Sequence, residues 1–255
     1  MCSRRAFLAI STLFLSLVLP VAAITTVEVE VVCPVCRTKN KFLDYASWGS
    51  YIYSYASKFQ LLFWPHTSSS TIYSCKKCHL SLFMWDFKDF PNGKIAETER
   101  LLAPVKLSGE YKSYTDIPAS EKLQVAEPVY RLLGRDDDFW AHFYRLRGYY
   151  LALEKKPAEA AEARRHSLEI VNRMLQDPAL VGRRKEFLVL SAAMHHFLKE
   201  DDQALADLRT ASGLTFSDEK IGSEKSRNFD GYLTALIKEY IPAIEKNSVP
   251  DGFGE

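Results

Sequence analysis

Hydrophobic and polar positions alternate over short stretches in the first hundred residues, and this period of two predicts β-strands. Valines alternate with two glutamates from Thr26 to Val32, a pattern typical of a half-buried strand. Residues 37–44 are expected to return beside it as a second short strand. Thr71–Tyr73 predicts a third strand, and the fully apolar run Leu80–Trp85 predicts a fourth. Pro91-Asn92-Gly93 then predicts a turn.

Residues 45–64 are rich in aromatic side chains, and their spacing fits two periods. Tyr51, Tyr53 and Tyr55 alternate as in a strand, whereas Trp48, Ile52, Tyr55, Phe59 and Leu62 follow a helical stripe. The length of the stretch favours a helix. We expect these rings to pack in the core of a small domain, with a platform that stacks a ligand as the alternative.

From Ile117 onward, apolar residues recur at helical spacing, which predicts a run of helices. Asp136-Asp137-Asp138 supplies an N-cap and favourable negative charge for the second of them. Pro128 is expected to kink the first helix and Gly134 to end it. The predicted helices are 119–133, 139–153, 158–176, 183–199, 203–213 and a last helix around 229–244.

Two segments of the helical part resemble each other at an offset of 44 residues. Residues 148–160 and 192–204 each read as the end of one helix, a charged turn and an Ala-led second helix. Small residues at a helix crossing with aromatic residues nearby are similar to tetratricopeptide hairpins. First helices of such hairpins line a concave face that binds peptides or partner proteins.

Composition bounds the protein more than it identifies it. The chain has 255 residues, 47% of them hydrophobic and 25% charged, with a formal net charge of +1. Such a chain has room for one large domain or two modest ones. The balanced charge gives no reason to expect nucleic acid as a partner.

The strongest chemical signal is a pair of CxxC motifs, Cys33-Pro34-Val35-Cys36 and Cys75-Lys76-Lys77-Cys78. Each motif turns two thiolates toward one point, so that two motifs supply a tetrahedral set of four sulfurs. That set suits Zn²⁺ as a structural ion, and the sequence therefore predicts Cys33, Cys36, Cys75 and Cys78 as its ligands.

Two alternatives use the same cysteines. Four cysteines in an oxidising compartment can form disulfides, although a bridge inside a CxxC closes only a small loop. Cys75 to His79 also reads CxxCH, the attachment string of c-type haem. The haem alternative leaves Cys33 and Cys36 without a role, so zinc is favoured.

The first 23 residues read as a signal peptide. Arg4-Arg5 precedes an apolar run from Ala6 to Val18, and Val21-Ala22-Ala23 is typical of a cleavage site. Ser3-Arg4-Arg5-Ala6-Phe7-Leu8 also resembles a twin-arginine signal, which competes with the general secretory route. We therefore expect an exported protein, periplasmic or secreted, that loses Cys2 and keeps no membrane span.

The double CxxC followed by helical hairpins resembles a bacterial family of unknown function. The resemblance rests on the two CxxC motifs with Tyr73, on Asp86-Phe87 and on the stretch Arg145–Tyr150. It implies metal binding and no reaction. That family usually has Gly after the second motif, where this chain has His79, and it is not typically exported.

No catalytic constellation emerges from the sequence. A catalytic zinc needs an open coordination position, and four thiolates leave none. His195 and His196 are adjacent, so their side chains diverge on a helix. His142 and His166 are expected at the surface or satisfied by neighbours. The chain is therefore expected not to be an enzyme.

The sequence predicts an α+β protein with a structural zinc site and a helical domain that binds an unknown protein or peptide. Arg145, Tyr149, Ser191 and His195 fall beside the apolar stripes and are expected to line its groove. Alternatives are a redox or electron-transfer protein, or an enzyme with a pocket where the two domains meet. The predicted units are 24–112 for the metal domain, 113–246 for the helical domain and 247–255 for a disordered tail.

Overall fold

The computed structural model describes residues 25–47 and 68–249 of the chain. The predicted signal peptide, most of the aromatic stretch 45–64 and the last six residues of the predicted tail lie outside the described residues. At the near end of that tail, the Ser248 amide donates a hydrogen bond to the Ala243 carbonyl.

Two antiparallel hairpins form the β part. Strand β1 (Thr25–Val32) pairs with β2 (Lys39–Ser47), and β3 (Ile72–Ser74) pairs with β4 (Ser81–Phe83). The first hairpin has one charged face, where Glu28 and Glu30 form ion pairs with Lys41 and Lys39. Its other face turns the side chain of Phe42 into the core.

The prediction for residues 80–85 is wrong at its second half. The strand ends at Phe83, and Met84–Lys88 form the short helix α1. The chain turns there because Met84 and Phe87 both bury their side chains in the core. A second helix, α2 (Ile95–Leu102), follows the predicted turn and was not expected from the sequence.

The helices predicted after residue 117 are all present. Asp136 caps its helix as expected, because its carboxylate accepts the Phe139 amide, and Gly134 ends the preceding helix with φ of 69°. Pro157 stands in the first turn of its helix, where a backbone N–H would have no intrahelical partner, so its missing N–H costs no hydrogen bond. The six helices are α3 (Ala119–Leu133), α4 (Asp137–Leu153), α5 (Pro157–Gln176), α6 (Arg184–Phe197), α7 (Asp201–Ser212) and α8 (Ser223–Glu245).

Helices α4 to α7 pack as two successive hairpins, with α5 also against α6 and α8 against both α6 and α7. Small residues stand at equivalent places in the two hairpins. Gly148 faces Ala160 in the first, at a distance that leaves no room for a larger side chain. In the second hairpin, the corresponding Ala192 and Ala204 are fully buried.

One hydrophobic core runs from the β part into the helices. The Tyr130 hydroxyl of α3 accepts the Phe83 amide at 2.8 Å and donates to Asp86 Oδ2 at 2.8 Å. Lys122 of α3 is fully buried and donates to the Ser69 carbonyl at 2.6 Å. The fold is therefore α+β, with helix α3 holding the β part against the remaining helices.

None of the helices that the structure describes is both long enough and apolar enough to cross a lipid bilayer.

Candidate metal centre

The first CxxC forms a tight knuckle at the end of β1. The Cys33 amide donates to the Thr38 carbonyl at 2.8 Å, and the Arg37 amide donates back to the Cys33 carbonyl at 3.0 Å. Arg37 adopts φ of 61°, the left-handed region, to close this turn. The Cys36 thiol donates to Thr38 Oγ1 at 3.3 Å. These bonds direct both cysteine side chains to one side.

The second CxxC repeats this geometry between β3 and β4. The Cys75 amide donates to the Leu80 carbonyl at 2.9 Å, and the His79 amide donates to the Cys75 carbonyl at 3.0 Å. His79 has φ of 59°, so it occupies the place that Arg37 takes in the first knuckle. The Lys77 amide also points at Cys75 Sγ, at 3.5 Å.

The two knuckles face each other, and their four sulfurs converge. All four Sγ atoms lie within 4.8 Å of one another. Cys33 Sγ is 3.6 Å from Cys78 Sγ, and Cys36 Sγ is 3.4 Å from Cys75 Sγ. A tetrahedral ion with metal–sulfur bonds of about 2.3 Å has sulfur–sulfur edges of about 3.8 Å. The cluster therefore has the size of a four-thiolate metal site.

This convergence weighs against both alternatives for the cysteines. The sulfur separations are far longer than a disulfide bond of about 2.05 Å, so no disulfide joins these four cysteines in the structure. Haem attachment needs Cys75 and Cys78 to reach a porphyrin, but Cys75 is fully buried against the other knuckle. Among the described residues, the cluster contains no histidine nitrogen, so His79 is not part of the set.

Interactions among the thiols separate their pKa values. Interaction with the neighbouring thiols of Cys33 and Cys78 holds the pKa of Cys75 well below its ordinary value. Interaction with Cys75 raises the pKa of Cys33 to about 12, and interaction with Cys33 raises the pKa of Cys78. A metal must displace the thiol protons, so its binding weakens as the pH falls.

Asn40 supports the site and was missed in the sequence. Its side chain is buried, donates to the Thr38 carbonyl at 2.9 Å and reaches Cys75 Sγ at 3.7 Å. Its Oδ1 accepts the Lys76 amide at 3.0 Å, so one amide group ties the two knuckles together. The signal was available, because strand alternation places Asn40 on the same buried face as Phe42.

Cationic residues stand next to the cysteines in the sequence of both knuckles. Arg37, Lys76 and Lys77 are exposed and stand beside the ligands in sequence. Four thiolates and one divalent ion carry a net negative charge, which nearby cations stabilise. The basic residues inside and after the CxxC motifs therefore suit an anionic metal–thiolate cluster.

The residues expected to line a partner groove are not brought to an open surface. Arg145, Tyr149 and Ser191 are each less than 6% exposed, so the reasoning that placed them at an exposed edge is wrong. His195 stays partly exposed, and its Nδ1 lies 2.6 Å from a carboxylate oxygen of Glu200.

Helix α8 explains much of this burial. The Lys185 ammonium of α6 is buried and donates to Asp230 Oδ1 and Thr234 Oγ1 of α8, each at 2.7 Å. Burial lowers the pKa of Arg145 in α4 to about 9, while Tyr232 of α8 opposes that shift. The first helix of the second hairpin therefore has the chain's own last helix against it.

No protein-family model, no curated protein and no solved structure matches the chain. The resemblance to a double-CxxC family thus rests on the sequence features alone. The structure supports its coarser content, namely four close cysteines that can hold a metal ion and a helical C-terminal region.

Proposed function

We propose that this chain is an exported, non-enzymatic zinc protein in which the ion has a structural role. Zinc bound by Cys33, Cys36, Cys75 and Cys78 would fix the two hairpins to each other and present them to helix α3. The observation that carries the proposal is the convergence of four cysteine sulfurs within 4.8 Å. Export is proposed from the signal-like sequence of residues 1–23.

Chemistry of the ligand set supports zinc over most other ions. Four thiolates in a tetrahedral arrangement suit Zn²⁺ or iron and disfavour Mg²⁺ and Ca²⁺, which prefer oxygen ligands. A closed set of four protein ligands also leaves no position for water or substrate, as in structural rather than catalytic zinc sites. The ion would then contribute to folding directly, because the hairpins are small.

Metal content of the full chain tests this proposal. Elemental analysis together with native mass spectrometry should find one zinc per chain and no Soret absorbance. The Cys75→Ser variant should lose the metal. Lys41→Ser is the matched control, since Lys41 is exposed on β2 and is not a ligand, and it should keep the metal. One iron per chain, or full zinc in Cys75→Ser, would overturn the zinc assignment.

Export has a separate test. The full chain with a C-terminal epitope should be processed after Ala23 and recovered outside the cytoplasm of a bacterial host. Replacing Arg4 and Arg5 with Lys should block a twin-arginine route and leave a general secretory route working. An unprocessed cytoplasmic chain would contradict export and leave the metal site untouched.

A second proposal concerns partner binding by the helical region, which resembles tetratricopeptide hairpins. A cavity of about 390 Å³ opens beside Tyr149, between the loop before α3 and the end of α4. Its wall combines the apolar side chains of Ile117 and Leu153 with the carboxylates of Asp116 and Glu154. Such a wall suits a partner segment that carries a basic side chain next to an apolar one.

Leu153→Ser tests the cavity, because Leu153 is 42% exposed and can change without loss of core packing. Val181→Ser is the matched control at a residue that is 57% exposed and does not line this cavity. Binding of lysine-containing apolar peptides should be lost in the first variant only. Equal binding by both variants would exclude this cavity as the docking site.

A further inference from the structure

The two close sulfur contacts of the cluster both join one knuckle to the other. Cys33 lies 3.6 Å from Cys78, and Cys36 lies 3.4 Å from Cys75. The members of each contact differ in access to solvent. Cys33 and Cys75 are fully buried, whereas Cys36 and Cys78 are partly exposed. Each contact therefore pairs one accessible sulfur with one protected sulfur.

We propose that these contacts give the cluster a second closed state without metal, in which disulfides join Cys33 to Cys78 and Cys36 to Cys75. The oxidant is a small-molecule disulfide such as oxidised glutathione. This inference rests on the proposed tetra-cysteine site but not on the proposed export. The four cysteines are then an oxidation site in which each cysteine has one defined disulfide partner.

The chemistry is ordinary thiol–disulfide exchange. The accessible thiolate, Cys36 or Cys78, attacks the small disulfide, forms a mixed disulfide and releases one small thiolate. The buried cysteine facing it then attacks the protein sulfur of that mixed disulfide, forms the bridge and releases the second small thiolate. Each bridge transfers two electrons to one small disulfide. Two bridges consume two oxidant molecules and free the metal ion.

Bridges across the knuckles differ in consequence from bridges inside them. A bond within Cys33–Cys36 or Cys75–Cys78 closes a loop of a few residues and leaves the two hairpins unconnected. The proposed bonds span 45 and 39 residues and hold the hairpins together. Long closed loops restrict the unfolded chain more than short ones. Oxidation at these pairs would therefore replace the metal as the link and not merely destroy the site.

Peptide mapping of the full chain tests this connectivity. Zinc-loaded protein is treated with oxidised glutathione and a chelator, quenched in acid and digested with trypsin. Trypsin cleaves at Lys76 and Lys77 and thus separates Cys75 from Cys78, while Cys33 and Cys36 stay on one peptide. The proposal expects an assembly of all three peptides. A Cys75 peptide linked only to the Cys78 peptide would overturn it.

Two double variants separate the two possible cross-knuckle pairings. Cys36→Ser with Cys75→Ser keeps Cys33 and Cys78, an accessible and a buried sulfur that lie in contact. Cys36→Ser with Cys78→Ser keeps Cys33 and Cys75, which are both buried. The first variant should form its bridge about tenfold faster than the second. Equal rates would overturn the assigned pairs. If either variant fails to fold, a wild-type map that lacks the three-peptide assembly still overturns the proposal.

The zinc content of the same sample, measured before oxidation, separates this inference from the proposed function. One zinc per chain followed by bridges within the knuckles would overturn the inference alone. Absence of metal followed by the three-peptide assembly would overturn the zinc proposal alone.

Discussion

Asn40 shows how a single side chain can set the properties of a site to which it contributes no ligand. Its side-chain nitrogen donates to the Thr38 carbonyl of the first knuckle, and its Oδ1 accepts the Lys76 amide of the second, so it contacts both knuckles. Groups that orient ligands in this way commonly change metal affinity by 10- to 100-fold when they are removed.

Asn40→Ala should therefore weaken zinc binding by about 10- to 100-fold while the helices stay folded. The physical reason is the loss of the amide that holds Cys75 in place. Competition with a chromogenic chelator measures the affinity. Lys41→Ala is the control, because Lys41 on the same strand points outward to Glu28. Equal affinities in both variants would contradict a supporting role for Asn40.

Lys122 carries a charge into the core. Its ammonium group is fully buried and donates to the carbonyls of Ser69 and Tyr114. Burial lowers its pKa to about 7, and the nearby Glu154 only partly opposes this shift.

Stability should consequently rise with pH above about 7 because of Lys122. Between the folded pKa of about 7 and the unfolded pKa of about 10.4, only the unfolded chain binds this proton. The free energy of unfolding then rises with pH, by at most about 1.4 kcal/mol per unit from this group. Urea unfolding at several pH values gives the free energy of unfolding as a function of pH, and this free energy should rise less steeply with pH in Lys122→Met. The surface variant Lys94→Met is the control. An equally steep rise in wild type, Lys122→Met and Lys94→Met would contradict the prediction.

At the scale of elements, both knuckles close with a residue in the left-handed backbone conformation, and in both this residue is of a type that does not favour that conformation. Arg37 and His79 both have positive φ, a conformation that costs an L-residue about 1–2 kcal/mol and glycine almost nothing. The Nδ1 of His79 is also buried without a hydrogen-bond partner.

His79→Gly should raise the free energy of unfolding by about 0.5–1 kcal/mol, after the higher entropy of unfolded glycine is subtracted. Arg37→Gly should act in the same direction, since it occupies the equivalent position. His79→Val should destabilise the protein, because a β-branched residue tolerates positive φ poorly. Urea unfolding and zinc content measure these effects. Loss of zinc in His79→Gly would show that His79 is a ligand.

Glycines within helices offer a matched pair for testing the hairpin packing. A Cβ at Gly148 would come within 2.9 Å of Arg164 Cγ and 3.3 Å of the Ala160 carbonyl oxygen. A Cβ at Gly231 of α8 would meet nothing within 4 Å.

Gly148→Ala should therefore lower the melting temperature, since α4 and α5 must move apart. Gly231→Ala should raise it, because alanine favours an exposed helix by up to about 1 kcal/mol over glycine. Differential scanning calorimetry of both variants distinguishes the two cases. A rise in both would show that α4 and α5 are not in close contact at Gly148.

For the whole molecule, the shared core means that metal loss should extend beyond the hairpins. The Tyr130 hydroxyl of α3 accepts a hydrogen bond from the Phe83 amide and donates one to the Asp86 carboxylate. The packing of α3 therefore depends on the positions of β4 and α1. Helices α4 to α7 make their main contacts among themselves.

Chelation of the metal should remove hydrogen-exchange protection from β1 to β4 and from α3, while α4 to α7 remain protected. Exchange followed by mass spectrometry measures each segment. The Tyr130→Phe variant should reduce the loss of protection in α3 on chelation, because it weakens the link before the metal is removed. Simultaneous loss of protection in all helices would contradict this order.

The sequence predicted those features that depend on neighbouring residues. Asp136 and Gly134 bound their helices as expected, because capping is decided within one turn. The four cysteines met as their spacing indicated. Met84 was assigned to a strand, because an apolar run has no period that distinguishes a strand from a buried helix. Arg145 was expected at an edge, since its burial depends on α6 and α8, which follow much later in the chain.

Helix α8 has a consequence for synthesis of the protein on the ribosome. The buried Lys185 finds its partners Asp230 and Thr234 only after a further 45 and 49 residues have been translated. Until then the Lys185 ammonium lacks these two partners, although α5 and α7 can already pack against α6. The helical region therefore reaches its final packing only once translation has passed α8.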